Sequence, residues 1–199
     1  MKRLKTQFLV WLMQNEVYLF LLRYILPNLR FLQPPGPSYF YKQRIRDNMQ
    51  AGDILLSKSK FALTNVLIGG DFSHGAVVIG PDEIAEMTAN DFDVVDVDHF
   101  CHGTTRIALL RIVDQENDYG KQVALKAMSF VGVRYDASFK LGVEALYCSE
   151  LCYQADFERR MQADLTDLVD MGRPYISPSG LYKAKGLELV YEWKDDPWS

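Results

Sequence analysis

Two side chains in this sequence carry the chemistry that the rest would have to serve. Cys148 lies in Leu146-Tyr147-Cys148-Ser149-Glu150-Leu151-Cys152-Tyr153-Gln154-Ala155, where an aromatic residue runs straight into a thiol and apolar residues follow at helical spacing through Leu151 and Ala155. That spacing predicts a helix beginning at or just before Cys148. A thiol at a helix N-terminus meets unpaired backbone N–H groups and the positive end of the macrodipole, which favour the thiolate and any anion formed beside it. The second side chain is His74, at the mouth of the apolar, β-branched run Gly75-Ala76-Val77-Val78-Ile79-Gly80, and it is expected at the start of a buried strand. A cysteine and a histidine far apart in sequence can meet in the fold as a thiolate–imidazolium pair, with His74 the base for Cys148. The bland alternative for Cys148 is a small buried hydrophobe, which is what most lone cysteines are.

A third group would orient the imidazole. Pro81-Asp82 marks a tight turn, and residues 83–88 should return as the second strand of a hairpin, which brings Glu86 back near His74. A two-residue loop alone sets Glu86 opposite Val77 and on the other face of the sheet, so a shared face requires one further residue or a bulge. Glu83 and Thr88 are the neighbouring alternatives. Ser73, Tyr135 and Tyr147 are candidates to line a substrate pocket, with ordinary core or rim packing the other reading of the two tyrosines. Glu150, inside the first turn of the cysteine helix, is explained by the macrodipole. A metal reading through His99, Cys101 and His102, joined by Cys148 and Cys152, lacks the spacing of structural zinc sites, so neither a metal nor a cofactor is expected.

The elements that position these groups fit one domain with an appendage. At 199 residues the chain can bury a substantial core, and its composition is that of an ordinary globular protein. Residues 1–50 hold eight of the 22 basic side chains and two of the 26 acidic ones, so a positive N-terminal segment precedes an acidic body. That balance excludes nucleic acid as a partner of the body and makes an anionic membrane surface a candidate partner of the segment. Three cysteines are too few for a disulfide framework and fit a reducing compartment, the cytoplasm by default, or a free working thiol.

Residues 1–33 are rich in Leu, Phe, Tyr, Val and Ile, but Gln14, Asn15, Glu16 and Arg23 interrupt any spanning helix and no small-residue cleavage site marks a secretion signal. The reading is one or two helices lying on something apolar: their own domain, a second copy of the chain, or a membrane surface. Pro34, Pro35, Gly36 and Pro37 make a stiff linker, giving an appendage over 1–38 and a compact domain over 39–199. Within that domain the pattern predicts a basic helix from Tyr41 to Met49, a strand after Gly52, and a helix or loop from Phe61 to Ile68. Beyond the hairpin come a strand over 107–113, a helix from Tyr119 to Val131 ended by Gly132, a short helix capped by Ser177 with Pro178 in its first turn, and a final strand over 187–193.

Gly-Asp-Ile-Leu-Leu at 52–56, Phe-Ser-His-Gly-Ala-Val-Val-Ile at 72–79, a Glu on the next strand, Gly-Val-Arg-Tyr-Asp at 132–136, Tyr-Cys-Ser-Glu-Leu at 147–151 and Ile-Ser-Pro at 176–178 together resemble the permuted papain-like amidases of the YiiX/YaeF type. These are relatives of the NlpC-type cell-wall peptidases in which the histidine strand precedes the cysteine helix. The resemblance spans about residues 50–193 and implies an α+β, circularly permuted papain-like domain, with a small antiparallel sheet or half-barrel packed on the cysteine helix. It also implies a Cys-His-polar triad acting on an amide or ester, with Cys148 matching the nucleophile, His74 the base and Glu86 the orienting acid. The expected substrate is a small molecule, peptide or lipid. Two alternatives stand beside hydrolysis of an amide: a lipid-directed acyl hydrolase or acyltransferase, and a non-catalytic binding module on the same fold.

Overall fold

The computed structural model describes residues 36–59, 70–113, 118–167 and 174–195, together with Trp11 and Asn15. The rest of the helical segment expected over 1–33, and the helix or loop expected over 61–68, lie outside the described residues. Among those described, no helix is long and apolar enough to cross a membrane.

In chain order the elements are α1 (Tyr39–Asn48), β1 (Ile54–Ser59), β2 (His74–Gly80), β3 (Glu83–Thr88), β4 (Asp91–Val95), α2 (Val97–Phe100), β5 (Thr104–Ile112) and α3 (Tyr119–Met128). They continue with β6 (Arg134–Tyr135), β7 (Ala145–Leu146), α4 (Cys148–Ala155), β8 (Thr166–Asp167), β9 (Pro174–Tyr175), α5 (Pro178–Tyr182) and β10 (Leu187–Lys194). Six strands form one antiparallel sheet in the order β10-β5-β1-β2-β3-β4. The expected α+β architecture is therefore present, with α4 packed on β2.

Both faces of this sheet are covered, which is why its central strands read as unbroken apolar runs. On one face Ile54, Leu56, Val77, Ala85, Met87, Ala108 and Leu110 meet Val123 and Ala127 of α3 and Leu151, Cys152 and Ala155 of α4. On the other, Leu55, Ala76, Val78, Ile84, Ile107 and Leu109 meet Ile45 of α1 and Val97 and Phe100 of α2. Each Leu, Ile or Val buried in this way stabilises the fold by about 1.5–3 kcal/mol. The outer strands β4 and β10 mix polar with apolar residues along their whole length, because they are less covered.

Ion pairs tie the covering helices in place. Asp98 of α2 accepts from Lys42 at 2.8 Å and from Arg46 at 2.6 Å, and Arg46 also reaches Asp82 in the β2–β3 turn at 2.9 Å. The linker is already part of the packed body at Gly36, whose φ of 72° and approach to the Cys101 carbonyl leave no room for a side chain. Helix α3 stops at Met128, earlier than the periodicity to Val131 implies, and Gly132 follows in the left-handed region at φ 85°.

Candidate active site

The nucleophile candidate and its base occupy the first positions of two packed elements: Cys148 opens α4 and His74 opens β2. The N-cap residue of α4, Tyr147, offers no side-chain hydrogen bond to the first turn, so the positive helix end is left facing the thiol. Gly75 lets β2 run close beneath this turn. A Cβ there would come 3.2 Å from Leu56 Cδ2, 3.5 Å from Cys152 Sγ and 3.7 Å from Ser149 Cα. With no side chain in the way, the N–H of Gly75, along with that of Ser149, reaches the Cys148 sulfur.

Glu86 reaches His74 through a defect in the hairpin. Ala76 pairs with Glu86 and Val78 with Ile84, but Gly80 then pairs with Glu83, leaving Ile79 as an extra residue on β2. This bulge supplies the residue that a two-residue loop lacks, and it sets Glu86 on the face shared by Ala76 and His74. His74 Nε2 and Glu86 Oε2 are 2.8 Å apart. With that nitrogen engaged, Nδ1 is left for the bond to Cys148. The Phe100 ring lies against the imidazole, with centroids 5.7 Å apart and planes tilted by 34°. The His74 side chain keeps 23% of its exposure and that of Glu86 9%, so the imidazole is the part of the trio open to a substrate.

Electrostatics favours charge separation across this trio. Burial opposes the His74 cation, but the hydrogen bonds and charges of Cys148 and Glu86 outweigh it and raise the imidazole to about 10. Burial also works against the Cys148 thiolate, yet the bond and charge of His74 and the N–H groups of Gly75 and Ser149 bring the thiol below its ordinary value. For Glu86 burial is again overcome by the His74 bond and charge, with help from His99, and its carboxyl is held below the usual range. The arrangement favours an imidazolium set between two anions.

The remaining sequence candidates separate clearly. Glu83 sits exposed at the hairpin end opposite Gly80, and Thr88 accepts from the Asn90 N–H at 3.1 Å, so neither meets His74. Tyr147 does not line a pocket: it is fully buried, and its hydroxyl accepts from the Ile176 N–H at 2.9 Å. Its ring supports the start of α4 from within. Ser73 is 4% exposed and donates its N–H to the Ser57 carbonyl at 3.0 Å, a strand contact leading into His74. Tyr135 is half-buried against the main core, and its N–H donates to Asp91 at 2.9 Å. Cys101 is buried in the second core cluster, where burial pushes its thiol up to about 12, and Cys152 is buried behind Cys148 with its thiol raised well above the ordinary value by the same cause. Glu150 departs from the macrodipole expectation, because burial raises its carboxyl to about 7.

Three supports of the site carry no chemical signature in the sequence. Ile176 is gripped on both sides of the nucleophile: Tyr147 takes its N–H, and the Ser149 hydroxyl donates to its carbonyl at 2.8 Å. The Ser177 side chain then accepts from the Gly180 N–H at 2.9 Å, capping α5 as its Ser-Pro start implies. Gly75 and Phe100 are the other two. The resemblance had marked Ile176 through the Ile-Ser-Pro run and Gly75 through the run over 72–79, and nothing had marked Phe100.

The model for permuted papain-like amidase enzymes of the YaeF/YiiX type, the C92 family, matches residues 48–191. Among solved structures, the chain is similar to one described as the metalloprotein yiiX from Escherichia coli O157:H7, at 16% identity and a TM-score of 0.63, covering 74% of this chain and 99% of that one. A comparison with curated proteins finds no match. A metal does not fit the trio, because His74 presents one nitrogen to each neighbour and so separates Cys148 from Glu86, leaving the three donors without a common centre. Among the described residues no group of three or more His, Cys, Asp or Glu side chains could hold a metal ion. Fold, strand-before-helix order and family match agree, and the chain belongs to the YaeF/YiiX (C92) family of permuted papain-like amidase enzymes.

Proposed function

We propose that the protein is a cysteine amidase in which Cys148 is the nucleophile, His74 the general base and acid, and Glu86 the group that orients the imidazole. The observation that carries this reading is the His74–Glu86 pair at 2.8 Å standing beside Cys148 at the start of α4, with His74 and Cys148 each favouring the other's charged form. The thiolate attacks the carbonyl of an amide or ester, and the oxyanion is held by N–H groups at the start of α4, that of Cys148 included. His74 delivers its proton to the leaving amine or alcohol, and water activated by the same imidazole then releases the acyl group from sulfur. Glu86 fixes the tautomer and steadies the imidazolium. The substrate is a small molecule, peptide or lipid bearing an acyl group.

Incubation with a p-nitrophenyl acyl ester and mass analysis of the Cys148 peptide tests the reading. It predicts a transient acyl adduct on Cys148 that is absent in C148A and formed at least about 100-fold more slowly in H74A, the lower end of the range for general-base effects. Turnover unchanged in C148A would remove the nucleophile assignment.

A lipid-directed version is favoured by one feature, the cationic apolar stretch over 1–33 followed by the exposed Tyr39 and Phe40 at the start of α1. Flotation with phosphatidylcholine–phosphatidylserine vesicles of the intact chain, against one lacking residues 1–37, should show binding that the truncation abolishes. Equal, negligible binding removes that version.

A further inference from the structure

One buried side-chain oxygen among the described residues has no hydrogen-bond partner: Oε2 of Glu150. Glu150 is fully buried two residues after Cys148, in the first turn of α4. Its other oxygen accepts from the Gly142 N–H at 2.6 Å, and the N–H of Tyr147, the N-cap residue, favours its charge. This is one half of a capping box. The other half is missing, because the Tyr147 hydroxyl is taken up by the Ile176 N–H and makes no bond to the first turn. One turn on, Gln154 bonds to the same carboxylate and donates to the Gly142 carbonyl at 3.0 Å. Gly142 is thus held to α4 through both its N–H and its C=O.

The segment that Glu150 holds is the one delivering the chain from β6 through β7 to Cys148. It is gathered at its start on Asp136, which accepts from the Ser138 N–H at 2.7 Å, the Ser138 hydroxyl at 2.5 Å and the Lys140 N–H at 2.6 Å. Phe139 is buried in the left-handed region at φ 52°, its ring 5.2 Å from that of Tyr147. A non-glycine residue there is strained and persists only where its surroundings over-determine it. Glu150 and Gln154 supply that constraint at the far end of the segment.

We propose that Glu150 is a positioning residue for the nucleophile: its carboxyl group latches the 136–146 segment to the first turn of α4, and gaining or losing its charge retunes Cys148 beside it. The proposal rests on Cys148 being the nucleophile. The titratable groups facing Glu150 are Asp136 from the segment, and Tyr147 and Cys148, with its partner His74, from the start of α4. Burial pushes the Glu150 carboxyl up and the charge of Asp136 adds to this, against the N–H groups of Gly142, Tyr147 and Gln154, with the balance at about 7. When ionised, the carboxylate tightens the latch but sets a second anion near the thiolate. When protonated, it leaves the helix end to the thiolate alone.

The test follows iodoacetamide alkylation of the Cys148 peptide against pH in the wild type and in E150Q, together with the Gly142 amide resonance of the wild type. The wild-type curve should inflect at low pH, from the Cys148–His74 pair, and rise again near 7 by about 1.7-fold, the gain in thiolate nucleophilicity that a like-charge shift of about half a pKa unit gives through a Brønsted slope of about 0.4–0.5. E150Q should keep the first inflection and lose the second, and the Gly142 amide should shift with a midpoint near 7. An E150Q curve that superimposes on the wild type, or a Gly142 amide that does not titrate around neutrality, overturns the proposal. If E150Q does not fold, the Gly142 amide of the wild type decides. A single inflection near the free-thiol value of about 8.5 in both proteins overturns the His74 pairing instead, and the amide then decides the latch by itself.

Discussion

The imidazole of His74 and the carboxylate of Glu86 meet at 2.8 Å because β2 carries one residue more than β3 across their hairpin. Without Ile79 in the bulge, the period-2 alternation of the strands would turn Glu86 to the opposite face, toward Ala85's side of the core, where a carboxylate has no partner.

Deleting Ile79 should therefore act as a mutation of Glu86. Activity on an acyl ester is expected to fall to the level of E86A, about 10–100-fold below the wild type if orientation and imidazolium stabilisation are lost together. E86A introduced into the deletion should change nothing further. A double-mutant cycle checks this, with a thermal melt to establish that the shortened hairpin still folds; additive losses would mean that Glu86 acts by another route.

Gly75 should tolerate enlargement poorly for reasons of both packing and chemistry. Gly75→Ala places a methyl 3.2 Å from Leu56 Cδ2, which must give by a few tenths of an ångström, and in ordinary contact with the Ser149 backbone at 3.7 Å, whereas the larger Gly75→Val is overpacked at a cost of about 1–3 kcal/mol. The Val side chain, which these contacts leave no space for, would press β2 away from α4 and withdraw the Gly75 N–H from the thiolate. The expected outcome is a lower melting temperature together with slower alkylation of Cys148 at pH 6, and Gly75→Val should exceed Gly75→Ala in both.

Stability should depend on pH through the same trio, in a window whose edges have assigned causes. His74 is raised from 6.5 to about 10 in the folded protein, so its contribution is complete below 6.5 and is lost as pH rises through about 10. Glu86 is lowered from 4.5, so its contribution is present above 4.5 and is lost as pH falls through its folded value. Chemical denaturation of H74A across this range should lack both dependences, since it removes the cation that Glu86 answers. Parallel curves for H74A and the wild type would contradict the coupling. For catalysis, the proton that His74 gives to the leaving group should remain available well above pH 6.5, so the alkaline limb of activity should fall near 10.

Much of this was legible before any coordinates, because the chemistry lies at element boundaries that the sequence punctuates strongly. Cys148 directly precedes a helical pattern, His74 directly precedes a β-branched run, and Pro81-Asp82 forces the hairpin between His74 and Glu86. The need for an additional residue in that hairpin could be derived from strand parity, although parity alone does not locate it at Ile79. Other features depend on contacts between distant segments and leave no local pattern. Tyr147 reads equally as a pocket or core ring until Ile176, 29 positions on, takes up its hydroxyl. Glu150 sits where the macrodipole favours its charge, and only the packing of Gly142 and Asp136 over it makes burial the larger effect. Gly75 looks like any strand glycine until α4 is laid against it.

The pairing of Cys148 with His74 is tested most directly by the rate of Cys148 alkylation between pH 4 and 9, measured in the wild type and in H74A. A thiolate held by an imidazolium, two backbone N–H groups and a helix N-terminus should react at pH 6 within about twofold of its rate at pH 8, and H74A should return the inflection to about 8.5 or above. If the wild-type rate instead climbs only through that free-thiol range, and H74A leaves it unmoved, Cys148 is a buried structural thiol and His74 is not its base.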